Sequence, residues 1–181
     1  HSQGGHASLA IAEYAQTDPN YLGAVAAAPA SSLGFIIKYV APELLNTVLL
    51  GESLGALPVG TAAAGYADLL SFAAYVTTGI QAYDPDFDYK TVFESRSQPI
   101  VDAALGTTGD NGLCLDELRV RFADDILQYV AENPGKTVLD YPALIQNFDE
   151  NPEIAEFLAT NQPATRYIAK PVMILQGTSD A

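Results

Sequence analysis

The chain has 181 residues, of which 49% are apolar, and carries a formal net charge of −14 from 22 acidic and 8 basic side chains. That length supports one domain with a real core, and the composition is that of a globular rather than a disordered chain. The charge argues against nucleic acid as a partner and against adsorption to anionic membranes, because both need clustered Lys and Arg. The single cysteine, Cys114, excludes a disulfide within the chain, and a small buried thiol is expected there. No uninterrupted apolar run of about 18 residues occurs, so composition does not point to a membrane span.

The first six residues, His1-Ser2-Gln3-Gly4-Gly5-His6, form a small, glycine-rich opening. Residues 7–16 follow with helical spacing of Leu9, Ala10 and Tyr14, and Thr17-Asp18-Pro19-Asn20 supplies turn chemistry that stops the helix. Residues 21–28 are a short apolar run bounded by turn residues, which reads as a buried strand of a parallel sheet. From residue 33 to 165 helical patterns dominate, with helices expected over 42–50, 61–83, 98–105, 115–131, 142–148 and 152–160. Pro42 and Pro152 sit where a first helical turn tolerates proline, and Asn151 is a suitable N-cap. Strand character returns over 172–176, followed by Gly177-Thr178-Ser179-Asp180. The order of elements predicts an α/β fold: part of a sheet, residues 1–32 and 166–181, interrupted by a mostly helical insertion over 33–165.

Two places carry chemistry. A serine hydroxyl becomes an effective nucleophile only when lifted toward a base, and a sharp strand-to-helix turn does this. Such a turn crowds the serine's neighbours, and Gly4, two residues after Ser2, fits the need for a small side chain. The backbone N–H of Gln3, at the start of the following helix, would face a developing oxyanion. At the other end, an apolar strand closes in a glycine turn and presents Asp180 three residues later. That is a position from which a carboxylate can orient a histidine.

The run His1-Ser2-Gln3-Gly4-Gly5-His6-Ala7-Ser8-Leu9 resembles the nucleophile elbow of α/β-hydrolases. It is most similar to the secretory lipase, or lipase A-like, branch, which commonly reads S-Q-G-G-H-A here. The strand and loop from Pro171 to Asp180 resemble the segment that delivers the triad acid in that fold, and the order Ser then Asp agrees with it. The resemblance implies a serine hydrolase acting on carboxylic esters, with Ser2 as nucleophile, Asp180 as triad acid and Gln3 as an oxyanion-hole donor. It implies lipid or other lipophilic ester substrates, transient contact with a lipid interface, and a secreted or periplasmic setting. An acyltransferase or peptidase of the same fold, and a non-catalytic ligand-binding member, remain the alternatives.

The same order places the catalytic histidine beyond Ala181 and the second oxyanion donor before His1, so a piece of a longer protein, inactive alone, is expected. His1, beside Ser2 and expected to point away from its hydroxyl, and His6, one helical turn beyond, are read as hydrogen-bonded structural histidines. No cofactor is implied. No His/Cys grouping has metal-ligand spacing, and Asp84, Asp86 and Asp88 lack the glycine and distal glutamate of a calcium loop. Leu69, Leu70, Phe72, Tyr75 and Val76, with Phe35, Ile36, Ile37, Tyr39 and Val40, would either line an acyl channel or pack the insertion's own core, and packing is favoured.

Overall fold

A computed structural model of the chain describes residues 1–108 and 110–178, with only the backbone of Asp149. It is a mixed α/β arrangement of two compact units: His1–Ile36 together with the chain from Phe157 onward, and Ile37–Glu156.

The first unit is built on a two-stranded parallel sheet. Strand β1 (Ala24–Ala27) pairs with β2 (Val172–Leu175) in the register Ala24↔Val172 to Ala27↔Leu175. Ser2 extends this sheet by one parallel bridge to Pro29, and its N–H donates to Ala27 O at 3.1 Å. Helix α1 (Gln3–Tyr14) packs on one face, where Gly5, Leu9 and Ala12 are buried with Ala26 of β1. The small residues of β1 let the helix come close. On β2, Met173, Ile174 and Leu175 are all more than half exposed.

The returning chain is tied to the far end of α1. Glu13 accepts from Arg166 N–H at 2.7 Å, Gln16 accepts from Ala169 N–H at 2.8 Å, and the Arg166 guanidinium lies 4.9 Å from the Tyr14 ring centre. These contacts deliver the chain to Pro171, whose carbonyl accepts from Ala24 N–H at 3.1 Å and so sets the register of β2 against β1.

Helix α1 begins at Gln3 rather than at residue 7, because the turn at Ser2 feeds the chain directly into the helix. Two glycines weaken the local helical signal there, and packing on β1 overrides it. Between the units runs an apolar segment that periodicity did not resolve. Helix α2 (Leu33–Phe35) passes through a π-helical turn (Ile36–Val40) into α3 (Ala41–Ser53). By length and composition this 21-residue helix is apolar enough to cross a membrane, with a mean hydropathy of 1.4. Lys38 and Glu43 interrupt it, so it holds no unbroken apolar stretch of that length.

The second unit is helical. Helix α4 (Thr61–Tyr83) packs on α3, on α5 (Gln98–Leu105) and most extensively on α6 (Leu115–Glu132). Its core holds Leu70, Phe93, Val101, Leu118, Phe122 and Ile126, all at most 2% exposed. Glu52 caps the start of α4 by accepting from Ala62 N–H at 2.5 Å. The helix expected over 142–148 is absent. Residues 143–145 instead run antiparallel to 92–94: Glu94 N–H donates to Ala143 O and Ile145 N–H to Val92 O, both at 3.0 Å. Backbone groups so engaged are not free for a helical ladder. Helix α7 (Pro152–Thr160) follows, with Asn151 accepting from Ile154 N–H as its cap. Cys114 is exposed, contrary to the expected buried thiol. It closes a capping box with Glu117 at the start of α6, a role that holds it at the surface.

One polar cluster fastens this unit. Arg96 grips Asp125 of α6 through two parallel bonds of 2.8 and 2.9 Å, and Tyr141 donates to the same carboxylate at 2.6 Å. The guanidinium sits 5.4 Å from the Tyr129 ring centre and 5.9 Å from that of Tyr141. Burial first, and the bond to Asp125 second, push the Tyr141 phenol well above its ordinary range, so it remains a donor. Bidentate charged bonds of this kind are stronger than neutral ones. Arg96 and Asp125 retain 28% and 24% side-chain exposure, which places the cluster between a buried and a surface pair. Asp125→Ala is expected to lower unfolding free energy by about 2–3 kcal/mol in urea titration. A loss below about 0.5 kcal/mol, the scale of an ordinary surface change, would show the clamp to be inert.

Candidate active site

Ser2 adopts φ 50°, ψ −108°, a conformation that favours glycine. These angles are close to those of the first central residue of a type II′ turn, and the turn is closed by Gly4 N–H donating to His1 O at 3.1 Å. Holding a non-glycine residue there costs about 1–3 kcal/mol and requires support on every side. The support is visible. Ser2 N–H is held by Ala27 O of β1, and Ser2 O accepts from His6 N–H at 2.9 Å as the first bond of α1. The result is a single bridge residue, a sharp turn and a helix, with an exposed serine at the turn.

Gly5 makes the turn sterically possible. A Cβ there would stand 2.4 Å from Ala27 O and 2.9 Å from Pro29 Cα, both backbone atoms that cannot rotate away. A Cβ at Gly4 would meet nothing within 4 Å. The small-residue requirement assigned to Gly4 from sequence therefore falls on Gly5, one position later, because the tight approach is between the first turn of α1 and the end of β1.

Gln3 is the first residue of α1, where backbone N–H groups have no partner inside the helix. Its N–H follows the Ser2 turn directly, at the positive end of the helix dipole, which suits a developing negative charge. Asp180, the expected triad acid, lies outside the described residues. Strand β2, which leads toward it, ends at Leu175 beside Ala27, at the same carboxyl edge of the sheet as Ser2. A shallow, open depression of about 560 Å³ lies at this edge, lined by His1, Ala27, Ala28, Leu175, Gln176 and Gly177, with Ser2 outside its lining. Ligands of open parallel sheets bind outside the carboxyl ends of the strands. A second depression, of about 310 Å³, runs along Ala7, Ile11, Tyr21 and Val25 at the other end of β1 and contains no charged side chain.

His6 is engaged elsewhere. Its Nδ1 lies 2.8 Å from Ala30 O, and since a carbonyl only accepts, Nδ1 carries the proton. Sequence reasoning missed Ala28, which has φ 42° and is followed by Pro29. The only signal for it was the Ala-Pro step ending an apolar run. Ser2 and Ala28 are two of three non-glycine residues with positive φ among the described residues, the third being Ala164.

The other sequence candidates have structural occupations. Asp84 and Asp88 accept backbone N–H groups of Asp86 and Lys90 and so shape their turn. Leu70 lies in the helical core, Phe72 is half exposed beneath the Arg119 guanidinium at 5.8 Å, and Tyr75 donates to Leu113 O at 2.7 Å.

The glycine geometry makes a paired prediction. Gly5→Ala forces the first turn of α1 off β1 and is expected to cost more than about 2 kcal/mol in thermal or urea unfolding, the range of overpacked sites. Gly4→Ala meets open space and is expected to be neutral or slightly stabilising, because alanine favours a helix over glycine. Equal effects of the two would contradict the close approach at Gly5.

Comparison of the chain with family models, with curated proteins and with solved structures finds no match.

Proposed function

We propose that the chain is the nucleophile-bearing core and helical insertion of an α/β-hydrolase that cleaves carboxylic esters. The observation that carries this reading is the strained Ser2 turn at the carboxyl edge of a parallel sheet. A backbone cost of this kind persists where the geometry has a use. In this fold the use is to aim a serine hydroxyl out of the sheet.

The reaction runs in two steps. Ser2 Oγ attacks the ester carbonyl, and its proton passes to a histidine expected beyond Ala181. Gln3 N–H donates to the tetrahedral oxyanion. Collapse breaks the ester C–O bond, and the histidine returns its proton to the departing alcohol. Water then attacks the acyl-enzyme by the same route, releasing the acid and restoring Ser2. Asp180, by its place after β2, would hold that histidine in the productive tautomer.

The strongly acidic chain favours uncharged, lipophilic esters over anionic ones. A secreted or periplasmic setting, with transient contact at a lipid interface, goes with that substrate class. Acyltransfer to an alcohol and amide cleavage use the same machinery and are separated by a panel of acceptors and substrates.

The test is fluorophosphonate labelling of the folded full-length protein, with the adduct mapped by mass spectrometry. A single stoichiometric adduct on Ser2 is expected. Ser2→Ala should abolish it and lower kcat for a short-chain ester by at least about 10³-fold. Folded protein that carries no adduct on Ser2 would sink the hydrolase reading and favour a non-catalytic ligand-binding member of the fold.

A further inference from the structure

The segment after β1 is held from both sides. On one side, Ala28 N–H donates to Leu175 O at 2.7 Å. On the other, His6 Nδ1–H donates to Ala30 O at 2.8 Å. Between these two bonds lies Ala28 at φ 42°, followed by Pro29. That φ is unfavourable for an alanine, because a positive φ crowds its Cβ, and the proline that follows limits how Ala28 can relax. A residue held in such a conformation relaxes when one of its anchors is removed. Ala27 and Ala28 form a wall of the depression, and Ala27 O and Pro29 are the groups that hold Ser2 in its turn. The backbone that His6 grips therefore both shapes the depression and braces the serine.

We propose that His6 is a positioning residue for Ser2: its Nδ1–H, through Ala30 O, fixes residues 27–30 and thereby the strained turn and the wall of the depression. The inference rests on the hydrolase reading and deepens it. His6 sits one helical turn after Ser2, with Gly5 between them packed on Ala27 O, so Ser2 and the first turn of α1 meet residues 27–30 at three places: Ser2 N–H, Gly5 Cα and His6 Nδ1. The first two are backbone features. The third is the one a side-chain substitution removes cleanly.

The two amides discriminate. Asparagine places its N–H₂ where imidazole carries Nδ1, and glutamine places it near Nε2, at similar polarity and size. The measurements are the second-order rate of fluorophosphonate labelling at Ser2, kcat and KM for a short-chain ester, and the thermal midpoint, all on the full-length protein. His6→Asn is expected to retain the parent labelling rate and kcat within about 3-fold, because the bond to Ala30 O is preserved. His6→Gln and His6→Ala are expected to lower both by about 10- to 100-fold with KM little changed, the effect of a small misplacement of a reacting group. A merely structural role would lower the thermal midpoint without separating Asn from Gln in kcat. Equal kcat for the Asn and Gln variants, or unchanged labelling in His6→Ala, overturns the inference while leaving the hydrolase reading intact. Absence of labelling in the parent protein overturns the hydrolase reading, and the inference with it. Should His6→Ala fail to fold, the Asn–Gln comparison decides alone.

Discussion

Everything at the candidate site depends on how close the first turn of α1 comes to the end of β1. The carbonyl of Ala27 is the meeting point: it accepts the Ser2 N–H and stands where a Cβ on Gly5 would have to be. That single oxygen explains why position 5 is glycine and why the chain turns sharply at Ser2. It also explains why the first N–H groups of the helix lie beside the serine rather than being spread along a loop. A helix entering at a gentler angle would relieve the backbone at Ser2.

The helical unit solves a different problem. Its long central helix is rich in alanine, and its buried face is lined by Ala62, Ala63, Ala67, Ala73 and Ala74 together with Leu70. Small side chains allow close helix packing, but each buries little apolar area, so burial alone stabilises such a helix less than a leucine-rich face would. The grip of Arg96 on Asp125, flanked by Tyr129 and Tyr141, adds directional bonds where area is scarce. The four residues come from α6 and from the segments before α5 and after residue 140, so the cluster also fixes which face of α6 turns inward.

Much of this was legible in the sequence, and the gaps have physical causes. The helices at Thr61–Tyr83, Gln98–Leu105 and Pro152–Thr160 have the bounds that periodicity and caps predict. Both strands were found as short apolar runs between turn residues, although β1 proved shorter than residues 21–28. Residues 142–148 misled because Pro142 mimics a helix start, while their backbone is claimed by residues 92–94, a partner that no local pattern reveals. The small neighbours of Ser2 pointed to a sharp turn there, and its φ of 50° and ψ of −108° make one. The requirement for glycine was placed one residue early, because sequence shows that a neighbour must be small but not which one faces the strand. The anchoring of Ala30 by His6 was readable only as a histidine with some partner. Asp180 rests on its motif alone.

The ties between Glu13 and Arg166, and between Gln16 and Ala169, join residues 153 positions apart in sequence. For a flexible chain, closing a loop of that size carries an entropy cost of about 4.5 kcal/mol beyond a constant term. The two-stranded ladder that forms on closure is too short to offset much of it. Helices of local contact order form and pack faster than such distant pairings. The helical unit is thus placed to collapse first and shorten the loop, after which β2 finds β1. The turn at Ser2 leans on the end of β1, about 25 residues away, so its own contacts close a far shorter loop than the one β2 closes.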